Sequence, residues 1–201
     1  METFALFIAL ALGAYILAWK AQQQRIALLG GHLQNYRIEK LMADLNEGYM
    51  RALGEESPQR REQILELMQS NEASLSSQFS RFAAEVAKVD AEAARVSRLP
   101  GLIPFADRLF PGATFDLRKA LDIHARGIAN VVENADNREP KDRAFVLSAE
   151  MLLMQHTCHW FCKSKTVASA RLMARHKTTH QQVIDAVSPE TRRAYLQLIG
   201  G

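Results

Sequence analysis

Thr3-Phe4-Ala5-Leu6-Phe7-Ile8-Ala9-Leu10-Ala11-Leu12-Gly13-Ala14-Tyr15-Ile16-Leu17-Ala18-Trp19 runs without one charged side chain and is followed by Lys20 and Arg25. As a helix this run is about 25 Å long, slightly short of a ~30 Å hydrocarbon layer and within the range of a single pass. A cleaved secretory signal needs a basic leader and a small-x-small cleavage site. The flanks are instead Met1-Glu2-Thr3 and Lys20-Ala21-Gln22-Gln23-Gln24, so the segment is expected to remain as an anchor. Tyr15 and Trp19 lie one turn apart at the charged end, where amphipathic rings belong at the headgroup level. Lys20, Arg25, Arg37 and Lys40 all follow the span, which predicts a single-pass protein of the inner (plasma) membrane with its C-terminal domain in the cytoplasm. Ala5, Ala9 and Gly13 recur at every fourth position and form a ridge that admits a second transmembrane helix, including one from another copy of the chain.

Outside the anchor, the 201-residue chain has enough length for one ordinary domain or two small ones. Cys158 and Cys162 are the only cysteines, too few for a disulfide-stapled scaffold. The net charge of +3 is unevenly placed, with seven Lys or Arg between Lys163 and Arg193 against Asp185 and Glu190. Beside a membrane, such a face attracts anionic headgroups. Nucleic acid is not the expected partner, because the basic residues lack interleaved aromatics and a recognisable binding motif.

No stretch alternates apolar and polar residues over strand length, whereas helical spacing recurs throughout, so the expected fold is all-α. Four segments are expected: an anchor at 1–23, a helical hairpin at 24–98, a Pro/Gly apolar connector at 99–112 and a C-terminal helical bundle at 113–201. In the hairpin, Gly30-Gly31 predicts a break below the membrane. Ile38, Leu41, Met42, Leu45, Tyr49 and Leu53 form one stripe, which ends at Gly54. Ser57-Pro58 then supplies an N-cap and a first-turn proline for a helix that meets no breaker before Pro100. Along it Leu65, Met68, Leu75, Phe79, Phe82, Val86, Val89, Ala93 and Val96 follow a 3.5-residue repeat, interrupted by Glu72, which predicts a long coiled-coil-like helix. Glu85, Asp90 and Glu92 flank the seam without basic complements, so an antiparallel hairpin with the preceding stripe, or a partner with basic flanks, suits it better than a parallel homodimer.

The connector Leu99-Pro100-Gly101-Leu102-Ile103-Pro104-Phe105-Ala106-Asp107-Arg108-Leu109-Phe110-Pro111-Gly112 places Leu102, Phe105, Ala106 and Leu109 on one face. Such a face docks into the bundle or lies on a bilayer. Leu75, Phe79, Phe82, Val86, Val89, Phe105 and Phe110 are therefore the candidate interaction residues. Further on, Thr114 is expected to cap a helix whose stripe includes Leu117, Leu121, His124, Ile128, Val131 and Ala135. Asn134 to Pro140 turns the chain, and the next helix, through Met173 or beyond, is apolar on almost every side from Phe145 to Cys162, which predicts a central position. Ser188-Pro189-Glu190 opens a last short helix that docks through Ala194, Tyr195, Leu198 and Ile199.

One constellation has ligand chemistry: Cys158, His159 and Cys162 fall within about 100° of helical arc, and His176 and His180 are spaced i, i+4. Together they form a candidate zinc or haem site. The spacing departs from the loop-borne zinc knuckle, and the c-type haem motif C-x-x-C-H is missing. Buried structural Cys and His is therefore the simpler expectation, with no cofactor. The sequence has no G-x-S-x-G, no Walker A loop and no H-E-x-x-H. Glu150, alone on the apolar helix, needs a partner or a raised pKa. The resulting expectation is a non-enzymatic, membrane-anchored scaffold subunit of a multiprotein assembly, whose partners are the lipid bilayer and other membrane-associated proteins. A metal- or haem-binding sensor and a membrane-active defence or lysis effector are the alternatives.

Overall fold

A computed structural model describes residues 2–99 and 105–200. Among them are nine α-helices and two three-residue strands. Helix α1, Glu2–Leu33, continues through Gly30-Gly31, so the expected break there is absent. A Cβ at either glycine would meet nothing within 4 Å. The chain turns only at residues 34–37 and enters α2, Ile38–Leu53, which pairs with α3, Pro58–Val86.

These two helices form the expected hairpin. Ile38, Leu41, Leu45 and Tyr49 are buried on α2, and Leu65, Leu75, Phe79, Phe82 and Val86 on α3. Ser57 caps α3 as its sequence demands, accepting a hydrogen bond from the Arg60 amide. Glu72, buried where it interrupts the apolar stripe, is paired there. The Tyr49 hydroxyl donates to it at 2.6 Å, and the Arg143 guanidinium lies 3.0 Å from its other oxygen. Leu53, assigned to the stripe by spacing, is instead exposed.

Helix α3 stops at Val86, not near residue 98, which corrects the expectation of one long coiled-coil-like helix. No proline or glycine causes the stop. The Asp90 carboxylate accepts hydrogen bonds from the Glu92 and Ala93 amides and turns the chain, and Arg118 donates to the freed Val89 carbonyl at 3.0 Å. Strand β1, Arg95–Ser97, then pairs antiparallel with β2, Thr114–Asp116. Val96 is buried there by strand alternation, whereas Ala93, its expected seam neighbour, is exposed. Three residues are too few for an alternating pattern to register, which is why these strands had no sequence signature.

Within the connector, α4, Ala106–Leu109, is followed by a 3-10 turn at Pro111–Ala113. Leu102, which the sequence placed on one face with Phe105, lies outside the described residues. Asp116, not Thr114, caps α5, Leu117–Glu133, because Thr114 is committed to the strand pair. Asn134 ends α5 in the left-handed conformation, and Pro140 opens α6, Pro140–Cys162. The expected continuation through Met173 is cut at Lys163-Ser164, where the Ser164 hydroxyl caps a new helix, α7, Lys165–His176. Helices α8, His180–Ala186, and α9, Pro189–Gly200, complete the chain.

Helix α6 occupies the centre, touching α1, α2, α3, α5, α7 and α8. Its buried residues include Leu147, Met151, Leu153, Met154, Trp160 and Phe161, on the broad face turned to the rest of the bundle. Enclosure by neighbours resolves its lack of an amphipathic face.

Candidate functional site

The outlying feature is the first half of α1. Phe4, Phe7 and Leu10 retain 71%, 73% and 62% of their surface, and the large apolar residues from Leu6 to Trp19 are exposed with them. The helix meets the bundle only from Ala18 onward. Gln22 accepts a hydrogen bond from Lys163 at 2.9 Å, Arg25 pairs with Asp107 at 2.9 Å, and Leu29 enters the core. At its end His32 Nδ1 lies 2.9 Å from Glu85, which also accepts from the Tyr36 hydroxyl; these bonds hold the Glu85 carboxyl below its ordinary pKa. One helix is therefore docked along its second half and bare along its first. The segment Leu6–Leu33 is long and apolar enough to cross a membrane by length and composition.

The candidate interaction residues divide in two. Leu75, Phe79, Phe82 and Val86 face the chain's own core, with Val89 partly buried against it. Phe105 and Phe110 are exposed, as is Leu109 between them. At the opposite end of α6, Met50, Leu53 and Phe145 are also exposed and line a groove of about 380 Å³ floored by Tyr49, Leu65 and Ala144.

The His and Cys residues do not gather as one set. His176 ends α7 and His180 begins α8, with Lys177 left-handed between them, so their i, i+4 spacing is not that of a single helix. His180 stacks on His156 at 3.8 Å between ring centroids, and the rings of Trp160 and Tyr195 close around it. His156, His159 and His176 line a small cavity that does not include His180. Cys158, His159 and Cys162 border a common groove between α1, α2 and α6, with both cysteines as free thiols. Burial pushes Cys158 up to about 12 and Cys162 up to about 11, so both are protonated at neutral pH. No group of three or more His, Cys, Asp or Glu among the described residues is arranged to hold a metal ion.

Two polar arrangements lie in this core: a set of His124, Thr157 and Tyr195 that spacing did not reveal, and the partner of Glu150, whose need for one the sequence did. His124 Nε2 lies 2.9 Å from Thr157 Oγ1, whose hydroxyl donates to the Leu153 carbonyl at 3.0 Å and lies 3.3 Å from the Tyr195 hydroxyl. Burial pushes His124 and His156 down to about 3 and His180 down to about 4, with the neighbouring imidazole and Lys165 adding to the effect at His156. All three are neutral at physiological pH and act as packed aromatic rings. Glu150 is the second arrangement, fully buried and bonded to the Ser188 amide and hydroxyl at the start of α9. Burial raises its pKa above the ordinary carboxylate range, outweighing the hydrogen bonds that lower it. Gly127 makes the approach feasible, since a Cβ there would come within 2.6 Å of Glu150 Oε2 and 2.3 Å of Thr191 Oγ1. A glycine inside an amphipathic helix, together with one acid on an apolar helix, was the available signal. The chain has no matching family model, and no curated protein or solved structure matches it.

Proposed function

We propose that this protein is a non-enzymatic, membrane-anchored interaction module, in which α1 crosses a bilayer and holds the helical bundle at its cytoplasmic face. The observation that supports this reading is the bare first half of α1. Ten large apolar side chains between Phe4 and Trp19 are exposed. Full burial is worth about 1.5–3 kcal/mol per side chain, so leaving ten of them 45–73% exposed to water forgoes on the order of 10 kcal/mol, comparable with the ~5–15 kcal/mol that holds a domain folded. A lipid environment removes that penalty, and the α1 backbone already satisfies itself internally. Tyr15 and Trp19 then meet the headgroups, while Lys20 and Arg25 favour retention of the bundle on the cytoplasmic side. In this reading the groove beside Met50, Leu53 and Phe145, at the end of α6 remote from α1, takes an apolar segment of a partner protein.

Alkaline extraction of membranes tests the anchor. The full chain is expected in the pellet, and a Leu10→Arg, Leu12→Arg variant in the supernatant, since each central arginine costs about 2.5–3.5 kcal/mol on insertion. Wild-type protein in the supernatant overturns the proposal. Protease added outside intact cells is expected to spare the bundle; digestion overturns the cytoplasmic placement. A monodisperse, partnerless monomer after detergent purification would count against the interaction role.

A further inference from the structure

We infer that the bundle makes a second contact with the bilayer, through Phe105, Leu109 and Phe110, which insert at the headgroup–acyl boundary beside the point where α1 emerges. The inference rests on the anchor reading and adds to it a lipid-binding face on the folded domain. Its first support is position along α1. Asp107 pairs with Arg25 at 2.9 Å with both side chains largely buried, and Phe105 and Arg108 share a groove with Ala21, Gln24, Arg25 and Leu28. These α1 residues follow Trp19 by two to nine positions, so α4 is held about 3–14 Å beyond the expected headgroup ring. With hydrocarbon about 30 Å thick inside a 40–45 Å bilayer, each headgroup layer occupies about 5–7 Å. The aromatic side chains flanking α4, Phe105 and Phe110, reach it from the near end of that range.

The second support is what this element presents. Leu109 keeps 64% of its surface, and Phe105 and Phe110 are exposed on either side of it. Three large apolar side chains within six residues are thus exposed beside the part of α1 that follows its bare stretch. Charge is the third support. The nearby acids Asp107 and Glu92 are already engaged by Arg25 and Arg108. Lys163 donates to Gln22, Lys165 lies over the Trp160 ring at 5.1 Å, and Lys20 precedes them on α1. None of these three lysines has a carboxylate partner among the described residues. Lysines free of carboxylates near the docked part of α1 suit an anionic lipid surface, each basic residue contributing about 1 kcal/mol there.

The test uses the full chain in vesicles of phosphatidylcholine and phosphatidylglycerol. In a Cys158→Ser, Cys162→Ser background, spin labels are attached through Leu10→Cys, Leu109→Cys, Phe110→Cys and Leu67→Cys, the last on the exposed face of α3. Labels at 10, 109 and 110 are expected to be severalfold less accessible to a water-soluble nickel complex than the label at 67. A shielded label at 10 with water-exposed labels at 109 and 110 overturns the inference and leaves the anchor standing. Exposure at 10 overturns both. Should the cysteine-free background lose its helical content, the wild-type chain decides the matter with a lipid carrying a photoreactive group near its glycerol. Adducts on residues 105–110 support the second contact, and adducts confined to residues 2–19 overturn it.

Discussion

The first half of α1 and α6 are both helices without a clean polar face, yet one stands bare and the other is largely enclosed by neighbouring helices. Their polar content separates them. Between Thr3 and Trp19 nothing is charged, and no side chain there requires a partner from the bundle. Helix α6 instead carries Arg143, Glu150, His156 and Thr157, each answered from another helix or by a backbone group: Arg143 by Glu72, Glu150 by Ser188, His156 by Ser169 and Thr157 by Leu153. A helix apolar all round suits either a protein core or a lipid environment. Polar groups that specific neighbours must satisfy mark the core case, because leaving each one unmet costs about 1–3 kcal/mol.

Deleting the same atoms from both helices breaks or sharpens the contrast. Leu153→Ala on α6, at a fully buried position, is expected to cost about 2–5 kcal/mol in unfolding of the bundle. Leu10→Ala on α1 should leave that unfolding unchanged in detergent, as read by circular dichroism. Equal losses would mean that the first half of α1 is packed against protein after all.

Acid provides the next contrast. His124 and His156 titrate near 6.5 when unfolded and are pushed down to about 3 by burial. Below pH 6.5 the unfolded chain takes up protons that the folded chain refuses, so their contribution is complete above that value and lost as the pH falls toward 3. With His180, pushed down to about 4, behaving alike, the expected loss at pH 5 is roughly 2 kcal/mol per histidine, measurable as a fall in denaturant midpoint that His124→Gln reduces by about a third. Membrane retention through α1, whose span has no group titrating in this range, should not change between pH 7 and 5.

The smallest effect compares two helical glycines. Gly127→Ala forces a methyl group into Glu150 and Thr191 and is expected to cost about 1–3 kcal/mol, less the helix propensity gained. Gly13→Ala meets nothing within 4 Å and should leave bundle stability unchanged. A neutral Gly127→Ala would show that Glu150 has room to withdraw.

Much of the helical layout was legible because local chemistry announces it. Ser57-Pro58, Asn134, Pro140 and Ser188-Pro189 mark helix boundaries in residues whose backbone preferences act within a few positions. The end of α3 was not legible, since its freed Val89 carbonyl is satisfied by Arg118 from a distant helix start. The short strand pair was equally silent, because β1 and β2 define each other and neither has a pattern alone. At the candidate site, the long apolar N-terminal helix was open to reading, whereas the exposure of Phe105 and Phe110 was not, since spacing alone favoured docking of that face into the bundle. The expected convergence of His176 and His180 assumed one continuous helix, and Lys177 breaks it.

By itself, the sequence determined that the chain is helical, that its N-terminal stretch is unbroken and apolar enough to span a bilayer, and where most helices begin. These follow from hydrogen bonds, caps and side-chain periodicities local to a few residues. Only the tertiary structure decided which apolar helix is enclosed, that the α3 stripe is filled by the chain's own core, and that Asp107 ties an exposed Phe-Leu-Phe edge to α1. Those outcomes depend on side chains far apart in the chain meeting within a few ångströms, and no local preference encodes that.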